Sequence, residues 1–321
     1  MKRKITKLLI IVLSLFTLAG CVPKDKTVLV TSYPMEYLFK VLGGNRVNVE
    51  RLYSGSTAQT AVIRSDYEEL IKKADTVFYI DELQPYWEIY TDVLAQNTKI
   101  EKINLADRST LYNFKRFSTI NVDGKQHIVD SEYYESSVFE PIDTYDKDPF
   151  LWMDPLAMTS MARTIKDWLT SNYPDESNLF EERFNELEVQ LINLQADYQK
   201  LRTNQGSYKV VTVHPSFGNW QRSFGVSVYP LILSKYGSLP TDKQFEAIRE
   251  RIQADDVRYI AMEKGLTEEE LIIFNQIKTE LQLTEINLNS LFDLTSEDIS
   301  KNMDYITEMY NNLEALESMN R

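Results

Sequence analysis

Apolar residues recur at spacings of four and three along one long stretch of the chain, Ser177–Gln205. This spacing is the period of a single face of an α-helix, and Gly206 follows at the place where a left-handed residue commonly ends one. The stripe consists of Phe180, Phe184, Leu187, Leu191, Leu194, Tyr198 and Leu201. We predict one unbroken helix over Ser177–Gln205 that packs across two lobes. A coiled-coil seam between two chains is the alternative interpretation.

On both sides of this helix, short apolar runs alternate with helical patterns. The predicted strands are 27–31, 47–52, 76–80, 99–103, 208–213, 226–231, 257–262 and 284–288. The predicted helices are 35–42, 65–73 with Ser65 as its cap, 83–95, 155–169, 241–253, 267–280 and 296–316. The βαβ order implies parallel sheets covered by helices. The predicted fold class is therefore α/β, with two α/β lobes, each with a parallel sheet, joined by one long spine helix. Between 107 and 148 the alternation lapses, which indicates a hairpin or a long loop.

The N-terminus has the features of a bacterial secretion signal. Four basic residues among the first seven precede an apolar run over 8–19, which is short for a membrane span. The run ends in Leu-Ala-Gly-Cys at Cys21, which resembles a lipobox, the signal in which the cysteine is lipidated after cleavage. We predict a signal peptide over 1–20, a lipid-anchored tether over 21–26, an N-terminal lobe over 27–176, a linking helix over 177–205 and a C-terminal lobe over 206–321.

Cysteine content and charge narrow the classes of partner. Cys21 is the only cysteine, so no disulfide can form within the chain. The formal net charge is −13, and removal of the four signal-peptide cations lowers it to −17. Such an acidic chain is not expected to bind nucleic acid or to adhere electrostatically to anionic lipid. We expect a monomer that contacts the lipid bilayer through Cys21.

Several motifs resemble those of the zinc- and manganese-binding lipoproteins of ABC importers. Residues 148–155 (DPFLWMDP) are similar to the DPHxWxDP signature of that family. Residues 214–218 (HPSFG), with the FGV at 224–226, resemble its HxAFGY…YGL stretch. Residues 55–59 (GSTAQ), with the KAD at 73–75, match its PGxxPH…xAD segment in length. The resemblance covers essentially the whole mature chain, and the order and spacing of the motifs carry it.

The resemblance implies one divalent metal, Zn²⁺ or Mn²⁺, held in a cleft by three histidines and one carboxylate. At the corresponding positions this chain has Gln59, Phe150, His214 and Asn289, of which only His214 is a family ligand. Glu263 occupies a place where the family often has a glutamate near the site. A phenyl ring cannot ligate a metal, and neutral amide oxygens are poor ligands for zinc. We therefore expect a metal site that is largely lost. The chain then binds one divalent metal through a reduced ligand set, or it binds no metal.

Three functional hypotheses follow. The first is an extracellular, lipid-anchored substrate-binding protein that delivers cargo to the permease of a metal-type ABC importer, with a substitute ligand set of His214 and Glu263, joined by Gln59, Asn289 or His127. The second is a metal-free surface binding module or adhesin derived from that family, or a receptor for another small ligand. An enzyme ranks last, because no third member of a nucleophile–histidine–acid set accompanies His214. The expected location is the extracellular face of the bacterial cell membrane. The role of the 107–148 segment, which contains His127, stays open.

Overall fold

The structure is a computed structural model that describes residues 25–81, 83, 87–114, 116–122, 125–131, 134, 136–203 and 208–319. The strands are β1 (Lys26–Val30), β2 (Val47–Arg51), β3 (Tyr53–Ser54), β4 (Val62–Ile63), β5 (Thr76–Tyr79), β6 (Glu101–Asn104), β7 (Arg116–Val122), β8 (Lys125–Ser131), β9 (Lys209–Thr212), β10 (Ser227–Pro230), β11 (Tyr259–Glu263) and β12 (Thr284–Leu288). The α-helices are α1 (Tyr33–Gly43), α2 (Tyr67–Lys73), α3 (Trp87–Gln96), α4 (Pro155–Asn172), α5 (Ser177–Thr203), α6 (Gly218–Phe224), α7 (Asp242–Ala254), α8 (Glu268–Glu280), α9 (Ser296–Ser300) and α10 (Tyr305–Ser318).

Two parallel sheets form the centres of two lobes. The N-terminal sheet has the order β2-β1-β5-β6 and the C-terminal sheet the order β10-β9-β11-β12. All of their strand pairs are parallel. The central strands are apolar and buried, as expected for parallel sheets with helices on both faces. The predicted α/β class with two lobes is confirmed.

Helix α5 contacts both lobes, as its stripe predicts. All seven stripe residues are buried. On the N-terminal side, a guanidinium nitrogen of Arg183 donates to the carbonyl oxygen of Leu42 at 3.0 Å. On the C-terminal side, the hydroxyl of Tyr198 donates to the carbonyl oxygen of Met309 at 2.7 Å. One continuous apolar cluster includes this stripe together with residues of both sheets. The helix is described as far as Thr203, and the last predicted residues lie outside the described part.

The segment with no α/β alternation contains an antiparallel hairpin, β7 with β8, in which His127 pairs with Ile120. This agrees with one of the two predicted outcomes. Within the described ranges, no helix combines the length and apolar character needed to cross a membrane. The predicted signal peptide and Cys21 lie outside those ranges.

Two local predictions are wrong. The last helix is not continuous: α9 ends at Ser300, Asn302 has a positive φ of 57°, and Asp304 begins α10 by accepting a hydrogen bond from the amide of Thr307 at 2.8 Å. The asparagine and aspartate favour these local conformations over a continuous helix. Ser65 does not cap α2, because that helix begins one residue later, with Asp66 at the N-cap position and no side-chain cap bond.

Candidate functional site

His214 lies just beyond the end of β9 and is fully buried. Its Nδ1 is 3.2 Å from Oε2 of Glu263, and its Nε2 is 2.8 Å from Oε1 of Glu270. Glu263 is the last residue of β11, which pairs directly with β9. Because the carboxyl ends of parallel strands lie at one edge of a sheet, the topology brings the imidazole and the Glu263 carboxylate together.

Backbone geometry fixes both carboxylates around the imidazole. Oε1 of Glu263 accepts from the amides of Val213 at 2.5 Å and His214 at 3.1 Å. Glu270 is the third residue of α8, where it forms a capping box with Thr267. Its Oε2 accepts from the amide of Thr267 at 2.7 Å, which leaves Oε1 for His214. Sequence reasoning missed Glu270, although the Thr-x-x-Glu signature of a capping box marks it.

The two glutamates determine the charge state of His214. Burial lowers the pKa of the imidazole, but hydrogen bonds to Glu263 and Glu270 and their negative charges raise it more, to about 9. Burial raises the pKa of Glu270, while the hydrogen bond and charge of His214 lower it below its usual value. At neutral pH the side chain is therefore an imidazolium that donates from both ring nitrogens.

Phe150 places an apolar ring at the second of the four family ligand positions. It is fully buried, with its ring centroid 5.9 Å from that of Tyr145 and 5.6 Å from that of Trp152, both in edge-on arrangements. Its amide donates to Oδ1 of Asp148 at 3.0 Å. Its carbonyl oxygen accepts from Nδ2 of Asn219 at 2.9 Å. Phe150 is thus an ordinary core residue that offers no ligand atom.

Gln59 occupies the first of the four family ligand positions and is 5% exposed. Neither the nitrogen nor the oxygen of its side-chain amide has a hydrogen-bond partner among the described residues. A buried polar group without a partner costs about 1–3 kcal/mol, so this glutamine side chain lowers the stability of the folded state. Its loop touches the C-terminal lobe: a Cβ on Gly237 would lie 3.2 Å from Cβ of Gln59, and one on Gly265 would lie 2.2 Å from Cβ of Ser56.

Asn289 follows β12 and is 4% exposed. Its Oδ1 accepts from the amide of Leu291 at 2.9 Å, so the amide oxygen is already used in the local turn. Its Nδ2 has no hydrogen-bond partner in the part of the chain that the structure describes. The backbone of Asn289 is held by Asn312, which both donates to it and accepts from it at 2.8 Å. The free group of the side chain is therefore the NH₂, a hydrogen-bond donor that cannot ligate a metal ion.

Hydrogen bonds link three of the four segments that carry the family ligand positions. Nε1 of Trp152 donates to the carbonyl oxygen of Ser290 at 2.8 Å, which joins the Phe150 loop to the Asn289 loop. The bond from Asn219 to Phe150 joins the Phe150 loop to the segment after His214. The loops therefore meet where the lobes meet. Convergence of the four side chains themselves on one point stays a prediction.

The sequence comparison assigns the chain to a family. Residues 28–319 match the profile described as zinc-uptake complex component A, periplasmic. The chain belongs to this family. The family is one of transport substrate-binding proteins and is not an enzyme family. This match confirms the family resemblance that the motifs predicted. The matched residues span both lobes.

Individual relatives of this chain are distant. The zinc-binding lipoprotein AdcA of Streptococcus pneumoniae is 23% identical over 98% of this chain, which spans 60% of that relative's length. The zinc-bound ZnuA-like domain of the same protein superposes with a TM-score of 0.67 at 22% identity, covering 92% of this chain and 98% of the domain. The laminin-binding adhesin Lmb of Streptococcus agalactiae gives a TM-score of 0.73 at 19% identity, covering 92% of this chain and 100% of that one. These likenesses establish the fold.

The donor set at these positions does not fit a zinc ion. Among the described residues, no group of three or more histidine, cysteine, aspartate or glutamate side chains is arranged to hold a metal. His214, Glu263 and Glu270 do not form one, because each carboxylate binds a different nitrogen of the ring. Both imidazole nitrogens would have to exchange a carboxylate for the ion. The other three positions supply two amides and a phenyl ring.

Proposed function

We propose that this chain is the solute-binding component of a metal-type ABC importer, held by lipid on Cys21 at the extracellular face of a bacterial membrane. The family match over 28–319 and the two-lobe fold support this assignment. Cargo would be held where the lobes meet and handed to the importer's permease. The lipobox-like sequence before Cys21 supports the anchor.

The cargo site is proposed to be altered, so that the wild-type chain binds zinc far more weakly than a complete His₃-carboxylate site. One observation carries this: Phe150, at the second of the four positions, is a fully buried core ring that offers no ligand atom. Gln59, Phe150 and Asn289 then leave no histidine or carboxylate at three of the four positions. Complete structural zinc sites contribute about 10–16 kcal/mol of binding, and most of that is absent without their ligands.

Calorimetric titration with zinc and with manganese tests the proposal. The wild type is compared with a triple variant, Gln59→His, Phe150→His and Asn289→Asp. We expect tight zinc binding only in the triple variant, and its loss when His214→Gln is added to that variant. Tight binding by the wild type would refute the altered site and make Glu263, Glu270 or His127 a ligand. No gain in a folded triple variant would show that these four positions do not converge.

The same proposal includes a monomer with no affinity for nucleic acid and no enzymatic activity. The net charge of −13 supports the second point, since phosphate backbones repel acidic surfaces. Light scattering across a wide concentration range tests the first. A dimer stabilised by the exposed face of α5 would restore the coiled-coil interpretation of that helix.

A further inference from the structure

A separate cavity of about 430 Å³ lies between the 113–146 segment and Leu233 of the C-terminal lobe. Four aromatic residues contribute to its wall: Phe114, Tyr134, Phe139 and Tyr145. We call these four residues the aromatic cage. Phe114, Tyr134 and Tyr145 are buried, and Phe139 is half-buried. The volume is within the range of sites that bind small molecules.

Hydrogen bonds to the C-terminal lobe hold the cage in shape. The hydroxyl of Tyr134 donates to the carbonyl oxygen of Pro230 at 2.9 Å. The amide of Lys235 donates to the carbonyl oxygen of Asp143 at 2.8 Å, and Nε2 of Gln244 donates to that of Val138 at 2.9 Å. The cavity is therefore formed before any ligand arrives, which reduces the entropy lost on binding.

The rings of the cage are arranged in two pairs. The centroids of Phe114 and Tyr145 are 5.6 Å apart at an interplanar angle of 61°, and those of Tyr134 and Phe139 are 5.0 Å apart at 31°. Aromatic faces carry the negative part of the ring quadrupole, which attracts cations placed within about 6 Å. Several rings around one space suit a bulky cation with apolar substituents better than a compact, strongly hydrated one.

Carboxylates at the same cavity add negative charge. Glu140 and Asp146 contribute to its lining, and no lysine or arginine is among the described residues that line it. Both are exposed, and neither forms an ion pair with any part of the chain that the structure describes. Lys147 is the adjacent cation in sequence, and its Nζ is bonded to Oδ1 of Asn113 at 2.5 Å. The cavity thus combines aromatic walls with two carboxylates that have no ion-pair partner among the described residues.

We propose that the aromatic cage binds a small quaternary ammonium compound. The ammonium group lies among the four rings, and Glu140 and Asp146 provide the counter-charge. This site goes beyond the cargo site and does not depend on its metal chemistry. The same head group occurs free or linked to a phosphodiester, and the test separates the two.

Titration calorimetry of the full-length chain at low ionic strength uses three probes. These are choline, its neutral isostere 3,3-dimethyl-1-butanol and glycerophosphocholine. We expect choline to bind at least roughly tenfold more tightly than the isostere, because only choline carries the charge that the rings attract. Glycerophosphocholine binding as well as choline would assign the linked head group, and choline binding alone the free compound. Equal binding of choline and isostere, or no binding of either cation, would overturn the proposal.

Variants place the binding in the cage. Glu140→Gln changes an exposed side chain and should weaken choline binding several-fold, with less effect at high salt. Phe139→Leu keeps apolar volume but removes a ring, and should weaken choline binding while leaving the isostere unchanged. Glu182→Gln, an exposed carboxylate on α5, is the matched control and should have no effect. Choline binding that is unchanged in both cage variants would put the site elsewhere and refute the proposal.

Discussion

Leu191 lies in the middle of the stripe on α5 and tests whether that helix stabilises both lobes. The residue is 1% exposed and belongs to the apolar cluster that includes residues of both sheets. Val189, two residues earlier on the same helix, is 58% exposed. The pair therefore compares a core position with a surface position in the same backbone.

Leu191→Ala removes buried apolar atoms and leaves a cavity. Substitutions of this kind cost roughly 3–5 kcal/mol in well-packed cores. For a chain of this size, with about 2.1 cal/mol/K of unfolding entropy per residue, that loss lowers Tm by about 5–8 °C. Leu191→Asp should be worse, since it buries a charge without a partner. Val189→Ala should change the free energy of unfolding by no more than about 0.5 kcal/mol.

Scanning calorimetry and urea unfolding of the wild type and the three variants provide the measurement. If the cluster is one cooperative unit, Leu191→Ala lowers the temperature of a single transition and leaves it single. An unchanged Tm in Leu191→Asp would show that the stripe is not core. Two separated transitions, only one of which moves, would show that α5 stabilises one lobe alone.

Three further predictions concern other parts of the chain. In buffer with chelator, the free energy of unfolding should fall by about 3 kcal/mol between pH 6.5 and 9. The reason is that folding raises the pKa of His214 from 6.5 to about 9. The stability that this histidine contributes is therefore complete below pH 6.5 and is lost as the pH rises through 9. Urea titrations of His214→Gln should lack this fall. An equal slope in both proteins would show that the bonds from His214 to Glu263 and Glu270 do not cause it. Phe150→His alone should destabilise the fold by about 2–4 kcal/mol, since it places a polar ring between Tyr145 and Trp152, and calorimetry should show no tight zinc binding. Cys21→Ala should leave the protein uncleaved or release it into the medium, and a cell-bound product of full mature size would rule out the lipid anchor.

Periodicity was sufficient to predict the spine and the sheets. The stripe from Phe180 to Leu201 has no competing interpretation at the level of one chain, because every member falls on one helical face and all are buried. The strand Thr284–Leu288 was predicted to the residue. Apolar runs bounded by turn residues identify strands well when the sheet is parallel and buried.

Local competition between conformations explains what the pattern did not predict. The apolar spacing after Ser296 continues through Asn302 and Asp304, yet a left-handed residue and a new N-cap divide the helix there. Ile299, in the first of the two helices, is 45% exposed.

The candidate site was only partly predictable for a different reason. The family resemblance indicates which positions to inspect, but the second partner of His214, Glu270, comes from a helix cap 56 residues away. No periodicity reports such a long-range hydrogen bond.

The continuous apolar cluster has a consequence for how cargo is exchanged. Receptors whose lobes are joined by flexible strands open by a wide hinge rotation, which exposes little apolar surface. Here α5 is packed into both lobes, and its stripe belongs to the same cluster as the two sheets. A wide rotation would expose that cluster to water, at a cost comparable to the stability of the whole fold. If cargo is held where the lobes meet, as proposed, small displacements of surface loops would cost far less than such a rotation. The Gln59 loop, which approaches Gly237 and Gly265 closely, is one loop that such a displacement would move.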